Sequence, residues 1–485
     1  MSTFFNSRIS SGPERSIKIF SIACIFAVIV VGFILPRTVN IEKSFNMDDR
    51  IPIEVSLSME RNGDNNPDWG RAALIPDFQE MHYQFYPYMI ISHYWMQVES
   101  ERSVKSLRHL NFLLQALALI LFGLAMIQVK STWMTLIFGV LLLICNPALM
   151  SDYMQARPES LLYFFTSILL FALCLFEKSP KASISLAGVV IGACIATKFS
   201  LLPLLFMPAW LILIDRNIKK HHFYALLILS SLVGIFISAP YAVANPDKIL
   251  ATVTKLSAQY ASSHPPHSLI EYSYLKQLSW ILEFFFWVFP LLILTPLLVL
   301  FDMRSLCNFS LSMKICVGSS ILILAYIFYF SFKPIFFERN FSHLHILATF
   351  SFATLLTMKY RLLVFAAAVL ALATMAKQTA SIYLSLNQQG KSIAEREFID
   401  ANYSGIPTVN VSFRQVYRMN TPLCGIVRVI DYRSQYSERY REQLNASGFR
   451  HLITFPGYFH RLPTSTLHTY FSASFSYHEK HCASP

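Results

Sequence analysis

Two adjacent carboxylates, Asp48 and Asp49, follow the first apolar run of the chain. An ionised carboxylate is costly to hold near lipid, so the pair is expected to face water, a cation or a substrate. A carboxylate within hydrogen-bond reach of a hydroxyl can accept its proton while the oxygen forms a new bond. Asp48 and Asp49 are therefore the candidate catalytic residues, with Asp48 as general base, and together they could hold a divalent cation.

A second set of residues could bind an anionic substrate. Arg contacts phosphate through two parallel hydrogen bonds and Lys supplies a point charge, so Arg339 and Lys198 are the leading candidates and Arg157 follows. Glu159, His267 and Tyr86 are further candidates for the same substrate site. Arg157-Pro158-Glu159 could instead start a helix with an acidic first turn, and His267 could be an ordinary loop residue. Structural roles remain open: capping of a helix for Asp48 and Asp49, and snorkelling to lipid headgroups for Lys198 and Arg339.

The elements that must position these residues are membrane helices. The chain has 485 residues, of which 54% are hydrophobic, and its mean hydropathy is +0.45, which is too apolar for one water-soluble core. We expect a mostly α polytopic membrane protein with about eleven transmembrane helices. The predicted spans are 17–35, 109–128, 132–149, 160–176, 183–196, 199–214, 222–240, 278–301, 315–332, 342–357 and 361–377.

The charges of the connections predict an orientation. With a cytoplasmic N-terminus, every inside connection is short and basic, as the positive-inside rule requires. The candidate residues then share the outer side, in connections 36–108, 150–159, 197–198, 241–277 and 333–341. The aromatic segment from Tyr86 to Val98 is predicted to lie in the interface and not to span.

The C-terminal part, 378–485, has a different pattern from the membrane domain 1–377. Short apolar runs at 408–411, 425–430 and 451–455 predict strands, and 391–402 and 434–446 predict helices. We expect a small α/β domain outside the membrane, where Cys424 and Cys482 could pair. The formal net charge of +12 suits lipid headgroups and phosphates, and no basic block is long enough for a nucleic-acid site.

At the candidate positions the chain resembles the C-type glycosyltransferases, membrane enzymes that move a sugar from a polyprenyl-phosphate carrier. It looks most similar to the protein O-mannosyltransferases and the lipid A aminoarabinose transferases. The matching elements, in chain order, are Asp48-Asp49, Gly63-Asp64-Asn65-Asn66-Pro67-Asp68-Trp69, Tyr86-Pro87-Tyr88, Ala156-Arg157-Pro158-Glu159, Thr197-Lys198 and Glu338-Arg339-Asn340.

The resemblance implies an inverting transferase at the outer face of a bacterial cell membrane. Its donor would be a polyprenyl-phosphate-linked sugar, and its acceptor a glycan, a lipid or a protein. Two features depart from the family: Asp49 stands where the family has Glu, and residues 51–59 alternate like a strand where the family has a juxtamembrane helix. We predict a helix there.

Two other classes of membrane protein are alternatives. A secondary transporter should show paired internal repeats and charges at the midplane, whereas here the charges cluster at one face. A polyprenyl-lipid flippase or ligase would handle the same carrier. If the chain is the transferase, Arg339 and Lys198 should lie at the depth of Asp48, around a cavity whose outer half is polar and whose lipid-facing groove is apolar.

Overall fold

The computed structural model describes residues 29–40, 49–72, 74, 76–216, 218–262, 268–269, 272–302, 310–356, 361–388, 408–410 and 451–453. These residues are helical almost throughout. The helices in the first half are α1 (Leu35–Asn40), α2 (Arg50–Asn62), α3 (Pro76–Gln79), α4 (Tyr86–Val98), α5 (Val104–Gln128), α6 (Trp133–Ile144), α7 (Pro147–Asp152), α8 (Glu159–Cys174), α9 (Pro180–Thr197) and α10 (Phe206–Ile214). The second half adds α11 (Lys220–Ser238), α12 (Pro240–Ala244), α13 (Pro246–Ala261), α14 (Tyr274–Val288), α15 (Leu291–Asp302), α16 (Leu311–Ser331), α17 (Ser342–Leu355) and α18 (Arg361–Gln388). Short 3₁₀ helices cover Trp69–Arg71, Phe199–Leu205 and Glu338–Phe341, and a π-helical turn, Val30–Ile34, precedes α1.

Five described helices are long and apolar enough to cross a bilayer: α5, α9, α11, α16 and the Val364–Leu384 part of α18. A sixth span is formed if α14 and α15, which meet at an angle of 102°, count as one. Pro290 lies in this break, where its ring cannot continue the helical hydrogen-bond ladder. The protein is therefore a polytopic membrane protein, while the full count of eleven spans goes beyond this set and stays a prediction.

The centre of the membrane domain is α17, which is buried along its whole length. It packs against α16, α8, α15 and α6. At 14 residues it is short for a bilayer crossing. Because protein surrounds it, its polar side chains can serve a site inside the bundle without facing lipid.

Helices α9 and α11 pack backbone to backbone. A Cβ added at Gly192 would lie 2.2 Å from the carbonyl oxygen of Ser231, and one at Gly234 would lie 2.2 Å from that of Val189. No side chain fits at that spacing, so glycine is required at both positions. The pair carries Lys198 directly after the end of α9.

The segment with the alternating pattern folds as helix α2, as predicted. Ile51, Val55 and Met59 are buried on one face of the helix, and Ser56 extends this face to α4 through a 2.8 Å hydrogen bond between its Oγ and Nδ1 of His93. Positions 51, 55 and 59 fit both a period of two and a helical repeat of about four, which explains the ambiguous sequence pattern.

The chain divides into two compact units. One comprises Met1–Glu42 with Pro52–Tyr383, and the other comprises Lys43–Ile51 with Leu384–Pro485. In the second unit, strand β1 (Thr408–Asn410) pairs in parallel with β2 (His451–Ile453), at two of the three predicted strand positions. The predicted strand 425–430, both predicted helices, Cys424 and Cys482 lie outside the described residues, so the α/β domain stays a prediction. Helix α18 continues past the predicted boundary at residue 377.

Candidate functional site

Three charged residues that are distant in sequence meet at one end of the bundle. The Lys198 Nζ atom lies 3.4 Å from Glu159 Oε1 and 3.4 Å from the carbonyl oxygen of Arg339. Glu159 is the first residue of α8, Lys198 follows α9, and Arg339 belongs to the 3₁₀ turn before α17. The structure thus brings together three of the residues predicted to bind substrate.

The ion pair between Lys198 and Glu159 is held in a nearly dry environment. The Glu159 side chain is 1% exposed and that of Lys198 is 12% exposed. Burial lowers the pKa of Lys198, and the Glu159 carboxylate acts in the opposite direction. A separation of 3.4 Å is long for a charge-assisted hydrogen bond, so Lys198 is not fully neutralised by this partner.

A cavity of about 200 Å³ opens beside this cluster. Its polar lining residues, called the polar wall here, are Ser151, Asp152, Glu338, Arg339, Ser342, His345 and Gln378. Its apolar wall is formed by Phe284, Phe285, Val288 and Ile382. The two walls give the cavity the mixed character expected of a site that holds a polar group and a lipid chain.

Asp152, the last residue of α7, is the buried carboxylate of the cavity wall. The Tyr163 hydroxyl donates to Asp152 Oδ2 at 2.6 Å, and the Ser342 hydroxyl lies 3.4 Å from the same oxygen. Burial, followed by the nearby Glu159 carboxylate, raises the pKa of Asp152 to about 7. Near neutral pH this carboxyl can therefore either accept or donate a hydrogen bond.

A polar stripe along α5 holds the loop that carries Asp152 and Glu159. Arg108 Nε donates to the carbonyl of Met154 at 2.9 Å, and Asn111 Nδ2 donates to that of Gln155 at 2.6 Å. Gln115 Nε2 donates to the carbonyl of Leu149 at 2.9 Å and to the hydroxyl of Ser160 at 3.1 Å. Since residues 108, 111 and 115 lie on one helix face, they form a single brace for this loop.

Tyr86 and Arg157, two of the predicted substrate-binding residues, do not line the cavity. Tyr86 is buried with Tyr83 against Ala196, Ala239 and Ala242, and its hydroxyl oxygen lies 3.5 Å from the backbone nitrogen of Tyr241 as an acceptor. This contact joins the segment before α4 to the ends of α9 and α11. Arg157 is half-buried, and its guanidinium donates to the side-chain oxygen of Gln155.

Asp48 and His267 lie outside the described residues, so their predicted roles stay predictions. Asp49 immediately precedes α2 and is buried. In the described part of the chain, no group of three His, Cys, Asp or Glu residues could hold a metal ion. A cation at Asp48 and Asp49 remains untested because one of the two ligands falls outside that part.

The turn from Gly63 to Trp69 is held by hydrogen bonds to the buried carboxylate of Asp68. Asp68 is 1% exposed and accepts hydrogen bonds from His82 Nδ1 at 2.6 Å, Lys248 Nζ at 2.6 Å and the backbone nitrogen of Gly70 at 2.9 Å. Burial alone would raise the pKa of Asp68, but the hydrogen bonds from Lys248, His82 and Gly70 outweigh it and hold this pKa below its usual value. Through Lys248 the turn is fastened to α13.

Other residues of the site carry only partial signals in the sequence. Asp152 lies in a connection that sequence analysis placed on the outer side, but it was not assigned a role. Ser342 and His345 fall inside a predicted span, where polar residues of this size are often buried for packing, so the sequence alone does not mark them as site residues. Asn111 and Gln115 have a helical spacing to Arg108, and that spacing is the signal that could have found them.

The architecture matches a solved membrane transferase. A crystal structure of ArnT from Cupriavidus metallidurans bound to undecaprenyl phosphate aligns with a TM-score of 0.53 at 14% sequence identity, over 83% of this chain and 85% of that chain. ArnT is a lipid A aminoarabinose transferase with the C-type fold.

The chain has the C-type glycosyltransferase fold. This finding confirms the resemblance seen in the motifs at the level of fold. The apo crystal structure of the same ArnT aligns with a TM-score of 0.49 at 14% identity, over 83% of this chain and 84% of that chain. No family model and no curated protein matches the sequence. Within the C-type fold of this chain, the charged cluster and the cavity are the candidate active site.

Proposed function

We propose that this chain is an inverting glycosyltransferase that moves a sugar from a polyprenyl-phosphate carrier to an acceptor hydroxyl at the outer face of the membrane. The observation that carries the proposal is the meeting of Lys198 and Arg339 with the carboxylates Asp152 and Glu159 at one end of a C-type bundle. The ArnT structure with the same fold holds undecaprenyl phosphate, which supports a carrier of this class.

Arg339 and Lys198 are assigned to the carrier phosphate. When the sugar leaves, negative charge grows on the phosphate oxygens, and donors already in place stabilise that charge without reorganising. The Arg339 side chain lines the cavity, and the ammonium of Lys198 lies 3.4 Å from the Arg339 carbonyl oxygen. Both cations are assigned to the same phosphate group.

The apolar wall is assigned to the isoprenoid chain. Phe284, Phe285 and Val288 of α14 line the cavity, while Phe286 and Trp287 of the same helix are 48% and 56% exposed. Helix α14 therefore presents apolar side chains both to the cavity and to its outer surface. A lipid chain lying along α14 would stay in apolar contact from the bilayer to the site.

Asp48 is assigned as the general base. In a single displacement the acceptor hydroxyl attacks the anomeric carbon from the side opposite the phosphate, and this inverts the configuration. The hydroxyl proton then needs one acceptor, and a carboxylate supplies it. The topology proposed with this chemistry has eleven spans, a cytoplasmic N-terminus and the C-terminal domain outside.

Binding and transfer measured separately test the proposal. Arg339→Ala should weaken binding of undecaprenyl phosphate in nanodiscs, because it removes a contact present before the reaction, whereas Asp48→Asn should abolish transfer and leave binding nearly unchanged. Arg102→Ala is the control, because the Arg102 side chain is 50% exposed and pairs with Glu60. Equal affinity of the Arg339 and Asp48 variants, or transfer by Asp48→Asn within a few-fold of wild type, would contradict the assignments.

A further inference from the structure

His345 stands in the cavity wall with its ring orientation set by a helix cap. The Asn146 Oδ1 atom accepts a 3.0 Å hydrogen bond from the backbone nitrogen of Ala148, which caps α7. Because the side-chain oxygen is engaged there, the amide nitrogen is the atom that faces His345. This Nδ2 atom lies 3.0 Å from His345 Nδ1.

The Asn146 contact determines which ring nitrogen of His345 carries the proton. An amide NH₂ group can only donate, so His345 Nδ1 must accept. The proton of the uncharged imidazole is then on Nε2, which leaves an N–H donor on the far side of the ring. The ring is held in place by Phe289, whose centroid lies 4.2 Å away in a stacked arrangement, and by Tyr163 at 6.2 Å.

This donor finds no acceptor in the part of the chain that the structure describes. His345 is 2% exposed, and its buried Nε2 atom has no hydrogen-bond partner among the described residues. A buried donor without an acceptor is costly, and most such groups in native structures are satisfied. His345 is one of the residues that line the cavity, where a bound ligand would bring acceptor oxygens.

We infer that His345 is a sugar-binding residue, and that its Nε2–H donates to a hydroxyl oxygen of the transferred sugar. The inference rests on the proposed function. An uncharged N–H does little to offset a phosphate, for which Arg339 already stands in the same wall. A sugar hydroxyl both donates and accepts, and the same cavity is lined by Asp152, which can accept, and by His345, which can donate.

The test compares two ligands and three proteins in nanodiscs. The ligands are undecaprenyl phosphate alone and a panel of undecaprenyl-phosphate monosaccharides, of which the tightest binder to wild type is used. His345→Phe keeps the ring against Phe289 and removes the donor, while His345→Gln restores an amide donor near the position of Nε2. We expect His345→Phe to weaken the sugar-bearing ligand about three- to tenfold, to leave undecaprenyl phosphate within about twofold, and to raise KM more than it lowers kcat.

His343→Phe is the matched control, because His343 lies on the same helix against Tyr326 and is absent from the cavity wall. It should leave both affinities within about twofold, and His345→Gln should recover most of the lost affinity. Equal loss of both ligands in His345→Phe, or no loss of either, would overturn the sugar contact while the proposed function stands. A wild-type protein that binds no undecaprenyl-phosphate sugar would overturn the function and the inference together.

Discussion

Replacing Lys198 by Met should separate a loss of stability from a loss of phosphate binding. The ammonium is the charged partner of Glu159, whose side chain is 1% exposed and whose Oε2 atom has no hydrogen-bond partner in the described part of the chain. Without Lys198 a carboxylate stays buried and unpaired. Removal of one partner of a buried pair costs about 3–5 kcal/mol, and the 3.4 Å separation of the pair places this loss near the lower value.

The double variant Lys198→Met with Glu159→Gln is the matched control. It removes both charges, so its free energy of unfolding should return close to that of wild type. Its phosphate affinity should not return, because a charge-assisted hydrogen bond of about 1.5–3 kcal/mol is still missing, which corresponds to about 10- to 100-fold in the dissociation constant. Glu159→Gln alone should keep the phosphate affinity, since Lys198 remains.

Thermal unfolding in detergent and binding of undecaprenyl phosphate in nanodiscs are the two assays. The reasoning predicts an unstable single variant and a stable double variant, both with weak binding. A double variant that binds undecaprenyl phosphate as tightly as wild type would remove Lys198 from the phosphate site. A single variant as stable as wild type would show that the buried pair with Glu159 is not formed.

Three further predictions test other parts of the structure. Because the pKa of Asp152 is raised to about 7, the cavity gains a negative charge as pH rises from 6 to 8; undecaprenyl phosphate should bind more weakly over that interval, and Asp152→Asn should flatten the dependence. Because the folded protein holds this proton more tightly than the unfolded chain, the free energy of unfolding falls as pH rises from the unfolded-state pKa of Asp152 to about 7, and it stays lower above that pH. Asp152→Asn should therefore unfold at a higher temperature than wild type at pH 8, and the gain should be smaller at pH 5. Lys248→Met should make the 63–82 segment easier to cleave by limited proteolysis and lower the free energy of unfolding by about 1–2 kcal/mol. This loss is smaller than that of the Lys198 change because the Lys248 side chain is 36% exposed. Equal cleavage of wild type and Lys248→Met would contradict this prediction. Tags after Lys130, Arg216 and Lys359 should be cytoplasmic and tags after Asp247 and Asn387 outside, and a cytoplasmic tag after Asn387 would overturn the orientation.

The charged residues of the site could be selected from sequence because membranes restrict where charge can lie. Glu159, Lys198 and Arg339 stand at the ends of apolar runs, and the positive-inside rule assigned those ends to one side. Such ends were few, so their convergence could be expected. The contact of Lys198 with the Arg339 backbone, which joins residues 141 apart, could not be expected in detail because it depends on how the helices pack.

The uncharged part of the site could not be predicted in this way. His345 lies inside an apolar run, and its role depends on Asn146, which is 199 residues away in sequence. The tautomer follows only when the cap of α7 is seen to engage the Asn146 oxygen. In α2 the apolar positions fit a strand period of two and a helical repeat equally well. The segment folds as a helix, in which Ser56 forms a hydrogen bond with His93.

The glycine contact between α9 and α11 links Lys198 of the candidate site to the surrounding bilayer. Gly192 and Gly234 bring the two helix backbones into direct contact. Separation or sliding of the helices would lose this contact, so the pair should move as one body. The outer face of α11 is apolar and open, with Ile237 68% exposed and Leu229 62% exposed. A change in bilayer thickness that tilts α11 should therefore also displace Lys198, so lipid length becomes a variable that would change the phosphate contact proposed for Lys198.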